Sequence, residues 1–384
     1  MKKFLALILA LVMSLSLVAC GGSKAEEKPA EQPAQEQPAE AEGADFSVAM
    51  ITDYGDITDQ SFNQTTYEAC KAYCDANGVD FNYYKPAGDS TAERVAMVEK
   101  AVDEGYTVIV MPGFAFAETI TEVADEYSDV TFVALDVSEG DLGDYTLPSN
   151  VYCAVYQEEL CGYMAGYAAV KLGYTHLGFL GGMAVPAVVR YGYGFVQGAD
   201  AAAAETGAAV TVEYAYGNQF YGDADITAYM DNWYQTLGVE VVFACGGGIY
   251  SSAAEAAAKV DGKVIGVDVD QAGIIDGGYG EGMTVTSAMK GLAPTVEHML
   301  TEVAAGNFSN YGGKIETLGL VSGDDPEANY VQIPMESTQW SDSFTQDDYK
   351  ALVKDMFDGK ITVSNDISAM PSTSITVNEY GNIK

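Results

Sequence analysis

Short apolar runs alternate with amphipathic stretches along most of this chain, beginning near Phe46. A first series of runs lies at 47–52, 81–84, 107–111, 131–135 and 151–155, and a second at 177–180, 211–216, 239–244, 264–267 and 284–289. The stretches between them carry apolar residues at helical spacing, as at 90–104, 157–172 and 250–260. Strands that alternate with helices form parallel sheets covered by helices on both faces. The sequence therefore predicts an α/β protein with two doubly wound parallel-sheet lobes.

The two series also predict how the chain divides. About 340 residues follow position 45, which is enough for two lobes. We expect an N-terminal lobe of residues 46–150 plus about 272–317 and a C-terminal lobe of residues 151–271 plus about 318–384. The chain would then cross between the lobes near Asn150, near 270–273 and near Leu318. Hinges of this kind let two lobes separate and close around a ligand.

The residues that follow the apolar runs indicate where a ligand binds. In open parallel sheets, ligands sit beyond the carboxyl ends of the strands. Polar residues and glycines come directly after the runs of both series, among them Asp53, Asp136, Gly181, Gly182, Gly217, Asn218, Gly246, Gly247, Gly248 and Asp268. A cleft between the two lobes would collect both sets.

The first 45 residues have a different character. Lys2 and Lys3 precede an apolar stretch that is too short to span a bilayer comfortably, so residues 1–19 are predicted to be a signal peptide. Leu17-Val-Ala-Cys20 resembles the lipobox of bacterial lipoproteins, which implies that Cys20 is lipidated. Residues 20–45 are rich in Ala, Glu, Gln and Pro and cannot bury enough apolar surface to fold. We expect them to form a disordered tether, with the protein anchored through lipid on the extracytoplasmic face of the cell membrane.

Charge excludes one class of partner. The chain has 18 basic and 56 acidic residues, a formal net charge of −38, and most of that excess lies after position 45. Proteins that bind nucleic acid through its phosphates need a basic surface. We therefore expect no nucleic-acid partner.

Cysteines and histidines offer no metal or catalytic set. Cys70 and Cys74 have the spacing of some metal sites, but no second cysteine or histidine cluster completes four ligands. His176 and His298 stand alone in the sequence. We expect no metal, no cofactor and no catalytic residue, and we expect buried reduced thiols at Cys70, Cys74, Cys153, Cys161 and Cys245.

The segment 53–64 carries the most information about a site. It is polar, follows a strand and leads into a helix, where Asp59 or Ser61 could serve as the N-cap. Phe62 is an apolar ring in this polar setting. From the residues alone it is either a core residue or a stacking surface for a planar ligand.

Several motifs, taken in order, resemble the basic membrane protein family of lipoproteins. Asp59-Gln-Ser-Phe-Asn63 is similar to the family signature Asp-Lys-Ser-Phe-Asn, with Gln60 in place of the lysine. Further similar segments are 132–136, 150–151 with 162–166, 177–182 with Pro186, 194–198, 264–271 and 287–290. The resemblance covers nearly all of the chain after residue 45. It implies a type I periplasmic-binding-protein fold and, as in characterised members, a purine nucleoside ligand.

The resemblance also implies roles for individual residues. Asp53 and Asp136 match carboxylates that bond the base, and Phe62 matches the ring that stacks on it. Asp268 and Lys290 match the pair that binds ribose hydroxyls. The remaining expected ligand contacts are Tyr54, Asn63, Gly246, Gly247 and Tyr216. Tyr216 is expected as the second stacking ring, a role for which Phe220 and Tyr221 also compete.

These observations together predict an exported solute-binding lipoprotein that is not an enzyme. It would capture a nucleoside between its lobes and deliver it to the permease of an ABC importer. Three alternatives remain at this level: a binding protein for a sugar or another small metabolite, a nucleoside hydrolase that uses Asp53 and Asp56, and a surface adhesin.

Overall fold

The computed structural model describes residues 46–384. The predicted signal peptide (1–19), Cys20 and the tether (20–45) lie outside the described residues. Within 46–384, no helix combines the length and the apolar character that a membrane span requires.

Strands and helices alternate through most of the chain, as the sequence predicts. The strands are β1 (Ser47–Ile51), β2 (Asp80–Tyr84), β3 (Val108–Pro112), β4 (Thr131–Leu135), β5 (Val151–Tyr156), β6 (His176–Gly181), β7 (Thr211–Tyr216), β8 (Val241–Cys245), β9 (Lys263–Asp268), β10 (Thr284–Lys290), β11 (Lys314–Leu318), β12 (Val331–Gln332) and β13 (Thr376–Asn382). The α-helices are α1 (Phe62–Asn77), α2 (Thr91–Asp103), α3 (Phe116–Val123), α4 (Glu139–Leu142), α5 (Glu158–Lys171), α6 (Pro186–Thr206), α7 (Ala224–Asn232), α8 (Tyr250–Ala257), α9 (Ala272–Tyr279), α10 (Leu292–Ala304) and α11 (Gln346–Phe357).

The strands form two sheets. The first has the order β11-β5-β4-β3-β1-β2 and is parallel throughout. The second has the order β12-β10-β9-β8-β6-β7-β13, in which β12 is antiparallel to its neighbour and the other pairings are parallel. Interior strands such as β3 and β8 are buried along their whole length, because helices cover both faces of each sheet. The α/β class and the two doubly wound sheets are confirmed.

Local sequence accounts for how individual elements begin and pack. At the start of α2, Ser90 and Glu93 form the capping box that their spacing predicts. Helices α5 and α6 pack closely because glycines lie at their contact. A Cβ atom on Gly162 would lie 2.2 Å from the carbonyl oxygen of Tyr191, and one on Gly194 would lie 2.1 Å from that of Glu159. This close packing brings the N-terminal half of α6 against the first turn of α5.

Strand pairing differs from the sequence-based lobe boundaries at two places. The boundary at 150/151 assigns β5 to the C-terminal lobe, but β5 pairs with β4 and β11 in the first sheet. The boundary near 272 assigns β10 to the N-terminal lobe, but β10 pairs with β9 in the second sheet. An apolar run predicts a buried strand without indicating which sheet accepts its hydrogen bonds, so the sequence misplaced both.

We therefore assign residues 46–156 and 292–318 to the N-terminal lobe and residues 157–291 and 319–384 to the C-terminal lobe. Helix α10 supports this division, because it packs on α1 of the first lobe and the Tyr73 hydroxyl donates to the carbonyl oxygen of Leu300 at 3.1 Å. The third crossing, after Leu318, agrees with the expectation. The five cysteines of residues 46–384 are all buried and free of disulfide bonds.

Candidate ligand-binding cleft

A cleft of about 640 Å³ lies between the lobes, where the carboxyl ends of strands from both sheets face each other. Its volume is within the range of small-molecule sites. It is lined by most of the residues expected from the sequence, namely Asp53, Tyr54, Phe62, Asn63, Asp136, Gly246, Gly247, Asp268 and Lys290. Tyr216 is missing from this lining.

The loop after β1 is held by Asp59, which caps helix α1. The Asp59 carboxylate accepts hydrogen bonds from the backbone N–H groups of Ser61 (2.9 Å), Asn63 (2.9 Å) and Gln64 (3.1 Å). Ser61, the other candidate cap, makes no capping hydrogen bond. Its buried hydroxyl instead donates to Oδ2 of Asp268 at 2.6 Å, which links the two lobes across the cleft.

Asn63 positions Asp53. The Asn63 side-chain amide donates to Oδ1 of Asp53 at 3.0 Å and to Oδ2 of Asp59 at 3.2 Å, and the Gly55 N–H also donates to Asp53 Oδ1 at 3.0 Å. Burial raises the pKa of Asp53 to about 6 despite these hydrogen bonds. Oδ2 of Asp53 points towards Gly113, where a Cβ atom would lie only 2.2 Å away. The geometry thus gives Asn63 a supporting role and leaves Asp53 at the cleft wall.

Lys290 is the central cation of the cleft. Its side chain is buried, with a relative exposure of 3%. The ammonium lies 2.5 Å from Oδ2 of Asp136, 3.4 Å from Oε1 of Glu158 and 3.9 Å from Oδ1 of Asp268. These carboxylates outweigh the opposing effect of burial and raise the pKa of Lys290, so the lysine stays charged. The ammonium also lies 4.7 Å from the centre of the Phe62 ring, a cation–π distance.

Asp136 and Asp268 occupy equivalent positions in the two lobes. Each comes at the carboxyl end of a strand, β4 or β9, and each has a left-handed backbone, with φ of 61° and 65°. Non-glycine residues in this region cluster at functional sites, because the surrounding structure must impose the strain. Oδ1 of Asp136 is buried without a hydrogen-bond partner among the described residues, and burial raises the pKa of this carboxyl to about 6. The site therefore offers an unsatisfied acceptor to a ligand donor.

Aromatic rings form the apolar part of the cleft. Tyr54 stacks on Phe114 of the same lobe, with ring centroids 5.9 Å apart and an interplanar angle of 18°. Across the cleft it faces Phe220 at 6.4 Å. Phe62 is half-buried and lines the cleft beside the Lys290 ammonium.

Phe220, and not Tyr216, lines the cleft. The Tyr216 ring packs edge-on against Phe179, 6.2 Å away, and its hydroxyl pairs with that of Tyr214 at 3.0 Å. Tyr216 is the last residue of β7 and remains in the sheet layer, whereas the loop that follows carries Phe220 into the cleft. Of the rings considered from the sequence, Phe220 has the better geometry for contact with a ligand.

Sequence reasoning did not identify Ser61, Glu158, Arg190 and Tyr191 as parts of the site. The Tyr191 hydroxyl donates to Oδ1 of Asp268 at 3.2 Å, and Arg190 Nε donates to Oε2 of Glu158 at 2.6 Å. A signal for Glu158 does exist in the sequence, since it is an acidic residue at the start of a helix that is otherwise almost wholly buried. Among residues 46–384, no cluster of histidine, cysteine and acidic side chains has a geometry that could hold a metal ion.

Comparison with known proteins decides the family. Residues 46–354 match the Bmp family, described as ABC transporter substrate-binding protein PnrA-like. The chain belongs to the Bmp family. It is accordingly a substrate-binding protein of an ABC transporter and not an enzyme, with a small-molecule ligand, a transporter partner and a location outside the cytoplasm at the membrane.

Relatives of this Bmp protein extend over most of its length. It is 29% identical to the CD4+ T-cell-stimulating antigen of Listeria innocua, over 82% of this chain and 87% of that protein. It is 26% identical to the ABC transporter nucleoside-binding protein BmpA of Lactococcus lactis, over 83% of this chain and 89% of that protein. An ABC transporter solute-binding protein of Aeropyrum pernix K1 has a similar structure, with a TM-score of 0.64 and 21% identity over 84% of this chain and 88% of that one. The fold is the type I periplasmic-binding-protein fold.

Proposed function

We propose that this Bmp-family protein captures a purine nucleoside in the interlobe cleft and delivers it to an ABC importer. The observation that carries the proposal is the arrangement of the cleft. An aromatic ring, Phe62, lines the cleft together with the Asp53 carboxylate, and it lies 4.7 Å from the Lys290 ammonium, which Asp136 and Asp268 flank. The Lactococcus lactis relative is named a nucleoside-binding protein, which supports the same ligand class.

The chemistry of a purine nucleoside fits this arrangement. Its flat base can stack on Phe62 and Phe220, and stacking on an aromatic side chain contributes about 1–3 kcal/mol per base. Its N–H donors can bond Asp53 and the unsatisfied Oδ1 of Asp136. Its two adjacent ribose hydroxyls can donate to Asp268, and hydrogen bonds to a charged group are roughly twice as strong as neutral ones. The excess of carboxylates over cations in the cleft favours nucleosides over nucleotides, because phosphate would be repelled.

A thermal-shift screen tests this ligand class directly. The soluble protein of residues 46–384 would be heated with nucleosides, free bases, nucleotides and sugars. A ligand that binds the folded state stabilises it by about 2.7 kcal/mol at a hundredfold excess over its dissociation constant. We expect inosine, guanosine or adenosine to raise the melting temperature and the matching 5′-monophosphates to have little effect. A shift with sugars and none with nucleosides would overturn the ligand assignment.

Substitution of Phe62 separates stacking from packing. Phe62→Ala is expected to weaken nucleoside binding by about 1–3 kcal/mol, measured by calorimetry, because the base loses its stacking surface. The loss of stability should be smaller than the about 3–5 kcal/mol typical of a core phenylalanine, since the ring is only half-buried. Phe344→Ala is the matched control, because Phe344 is fully buried outside the cleft. It should lower stability by the larger amount and leave affinity unchanged. The reverse pattern in the two variants would make Phe62 a core residue.

Membrane attachment is the second part of the proposal. We propose that Cys20 carries the lipid that anchors the protein, with residues 20–45 as the tether. Cys20→Ser is expected to release the protein from the membrane or to leave its signal peptide uncleaved, which fractionation and mass spectrometry of the mature N-terminus would detect. A variant that is processed normally and stays with the membrane would disprove the lipid anchor.

A further inference from the structure

Glu158 is a fully buried carboxylate that touches two cations. It lies in the first turn of α5 with a relative exposure of 0%. Oε2 accepts from Nε of Arg190 at 2.6 Å, and Oε1 lies 3.4 Å from the Lys290 ammonium. A buried carboxylate is costly unless it is paired, so the packing of α5 and α6 around Glu158 depends on both contacts. Nothing in the proposed ligand contacts uses this side chain.

Its position in the chain is at the junction of the two lobes. Glu158 follows β5 by two residues, just after the chain first crosses between the lobes. Lys290 ends β10, just before the second crossing into α10. The third crossing joins the same place, because the Gln157 N–H donates to the carbonyl oxygen of Leu318 at 2.9 Å. The Glu158–Lys290 contact therefore lies beside the hinge as well as beside the cleft.

The Lys290 ammonium is shared between the lobes. Asp136, which belongs to the N-terminal lobe, is its nearest carboxylate at 2.5 Å, while Glu158 and Asp268 belong to the same lobe as Lys290. When the lobes separate, Asp136 moves away and the other two carboxylates remain. An ammonium that loses its carboxylates while still buried is strongly disfavoured. Glu158, the nearer of the two carboxylates that remain, is thus the main partner of Lys290 once Asp136 has moved away.

We propose that Glu158 is a positioning residue for ligand binding, which keeps Lys290 paired at the cleft while the lobes separate and thereby sets the rate of ligand entry. The kinetic part rests on the proposed function, whereas the conformational part does not. Removal of the Glu158 charge would leave Asp136 and Asp268 as the carboxylates of Lys290. Lobe separation would then cost more, and the population with separated lobes would fall.

The first test uses the protein without ligand. Nitroxide labels would be attached at cysteines introduced at the exposed positions Ser128 and Asn232, one in each lobe, and their distance distribution measured by electron spin resonance. We expect Glu158→Gln to reduce the separated population several-fold. Glu159→Gln is the matched control, because Glu159 is the neighbouring buried carboxylate and is not in contact with Lys290. Its distribution should equal that of the unsubstituted protein. Equal distributions in all three proteins would overturn the proposal.

The second test measures inosine binding by stopped flow across pH 4.5–8. Glu158→Gln should slow association several-fold relative to Glu159→Gln. The pKa of Asp136 is raised mainly by burial and further by Glu158 and Asp268, and is lowered by Lys290. A variant without the Glu158 charge should therefore lose affinity at a pH about one unit lower than the control. A purely structural role would not move this midpoint. The charged or titratable groups around Lys290 are Asp136, Tyr156, Glu158, Cys161, Arg190, Tyr191, Cys245 and Asp268.

A second substitution, at Arg190, keeps the test usable if Glu158→Gln does not fold. If Glu158→Gln unfolds because Arg190 loses its partner, the double variant Glu158→Gln/Arg190→Gln removes both charges of that pair and should fold. It should still show the reduced separated population. An unchanged separated population in a folded double variant would contradict the role of Glu158. Absence of inosine binding in the unsubstituted protein would instead contradict the proposed function, and the spin-label result would still decide this proposal.

Discussion

Replacement of Lys290 by methionine is expected to lower the free energy of unfolding by about 3–5 kcal/mol at pH 7.5. Lys290 is buried among Asp136, Glu158 and Asp268, and its ammonium balances part of their charge. Removal of one partner of a buried ion pair leaves uncompensated charge, which is the costly case. Methionine has a similar length and apolar stem, so the change tests charge more than packing.

Denaturant unfolding, followed by circular dichroism, would measure this loss. Lys354→Met is the control, because Lys354 is half exposed and lies 3.6 Å from Asp324 and 3.7 Å from Asp358. Exposed pairs contribute about 0–1 kcal/mol, so this variant should remain near the original stability. Acidification to pH 5 should restore part of the stability of Lys290→Met, since protonation of its carboxylates removes their repulsion. Equal losses in the two lysine variants would show that the cleft charges are not coupled as the geometry indicates.

The protein without ligand is expected to become more stable as the pH falls from 7.5 to about 4.5. Burial raises the pKa of both Asp53 and Asp136 from 3.8 to about 6. Between these values the folded protein holds protons that the unfolded chain releases, so a fall in pH through this window favours folding. One pKa unit corresponds to 1.36 kcal/mol, and the two groups together give a gain of about 3–5 kcal/mol. Glu159, whose pKa burial raises to about 7, acts in the same direction.

Carboxylates with lowered pKa values set the acid limit of this gain. Hydrogen bonds from the Ile226 N–H and from Lys384 are the main causes that lower the pKa of Asp223 to about 2. The stability that the Asp223 carboxylate contributes is lost below about pH 4, which is why the measurement should stop near pH 4.5.

Asp53→Asn isolates the contribution of one group. The asparagine oxygen can still accept from Gly55 and Asn63, so the variant should be more stable than the original at pH 7.5 and less dependent on pH. Chemical denaturation at four pH values between 4.5 and 7.5 would give both curves. A stability that falls steadily from pH 7.5 to 5.5 in the original protein would contradict the assigned pKa shifts.

Much of the fold could be predicted because its signals are local. The predicted runs at 131–135 and 211–216 coincide with β4 and β7, and the others differ from the observed strands by one or two residues at their ends. The strands β11, β12 and β13 were not predicted. β11 and β13 lie at sheet edges and are largely exposed or half-buried, and β12 has two residues, so none of them produces an apolar run.

The candidate site likewise has some features that short sequence motifs predict and others that depend on contacts between distant parts of the chain. Motif similarity identified Asp53, Phe62, Asp136, Asp268 and Lys290, and the fold brings all of them to one cleft. The choice of Phe220 over Tyr216 depended on where β7 ends, which is at Tyr216, four residues before Phe220. Sequence spacing could not resolve that difference.

By itself, the sequence determined the α/β class, the position of the site at the carboxyl ends of the strands and the family. Hydrophobic periodicity, capping and motifs involve residues that are close together in the chain, so they can be read without a structure. Only the tertiary structure decided that β5 belongs to the first sheet and β10 to the second, which is the reverse of the expected assignment. It alone revealed that Ser61 bonds Asp268, 207 residues away, and that Lys290 is shared by Asp136 and Glu158. Such contacts depend on how the two lobes close on each other. A charge buried at their junction is stable only where the fold places an opposite charge beside it.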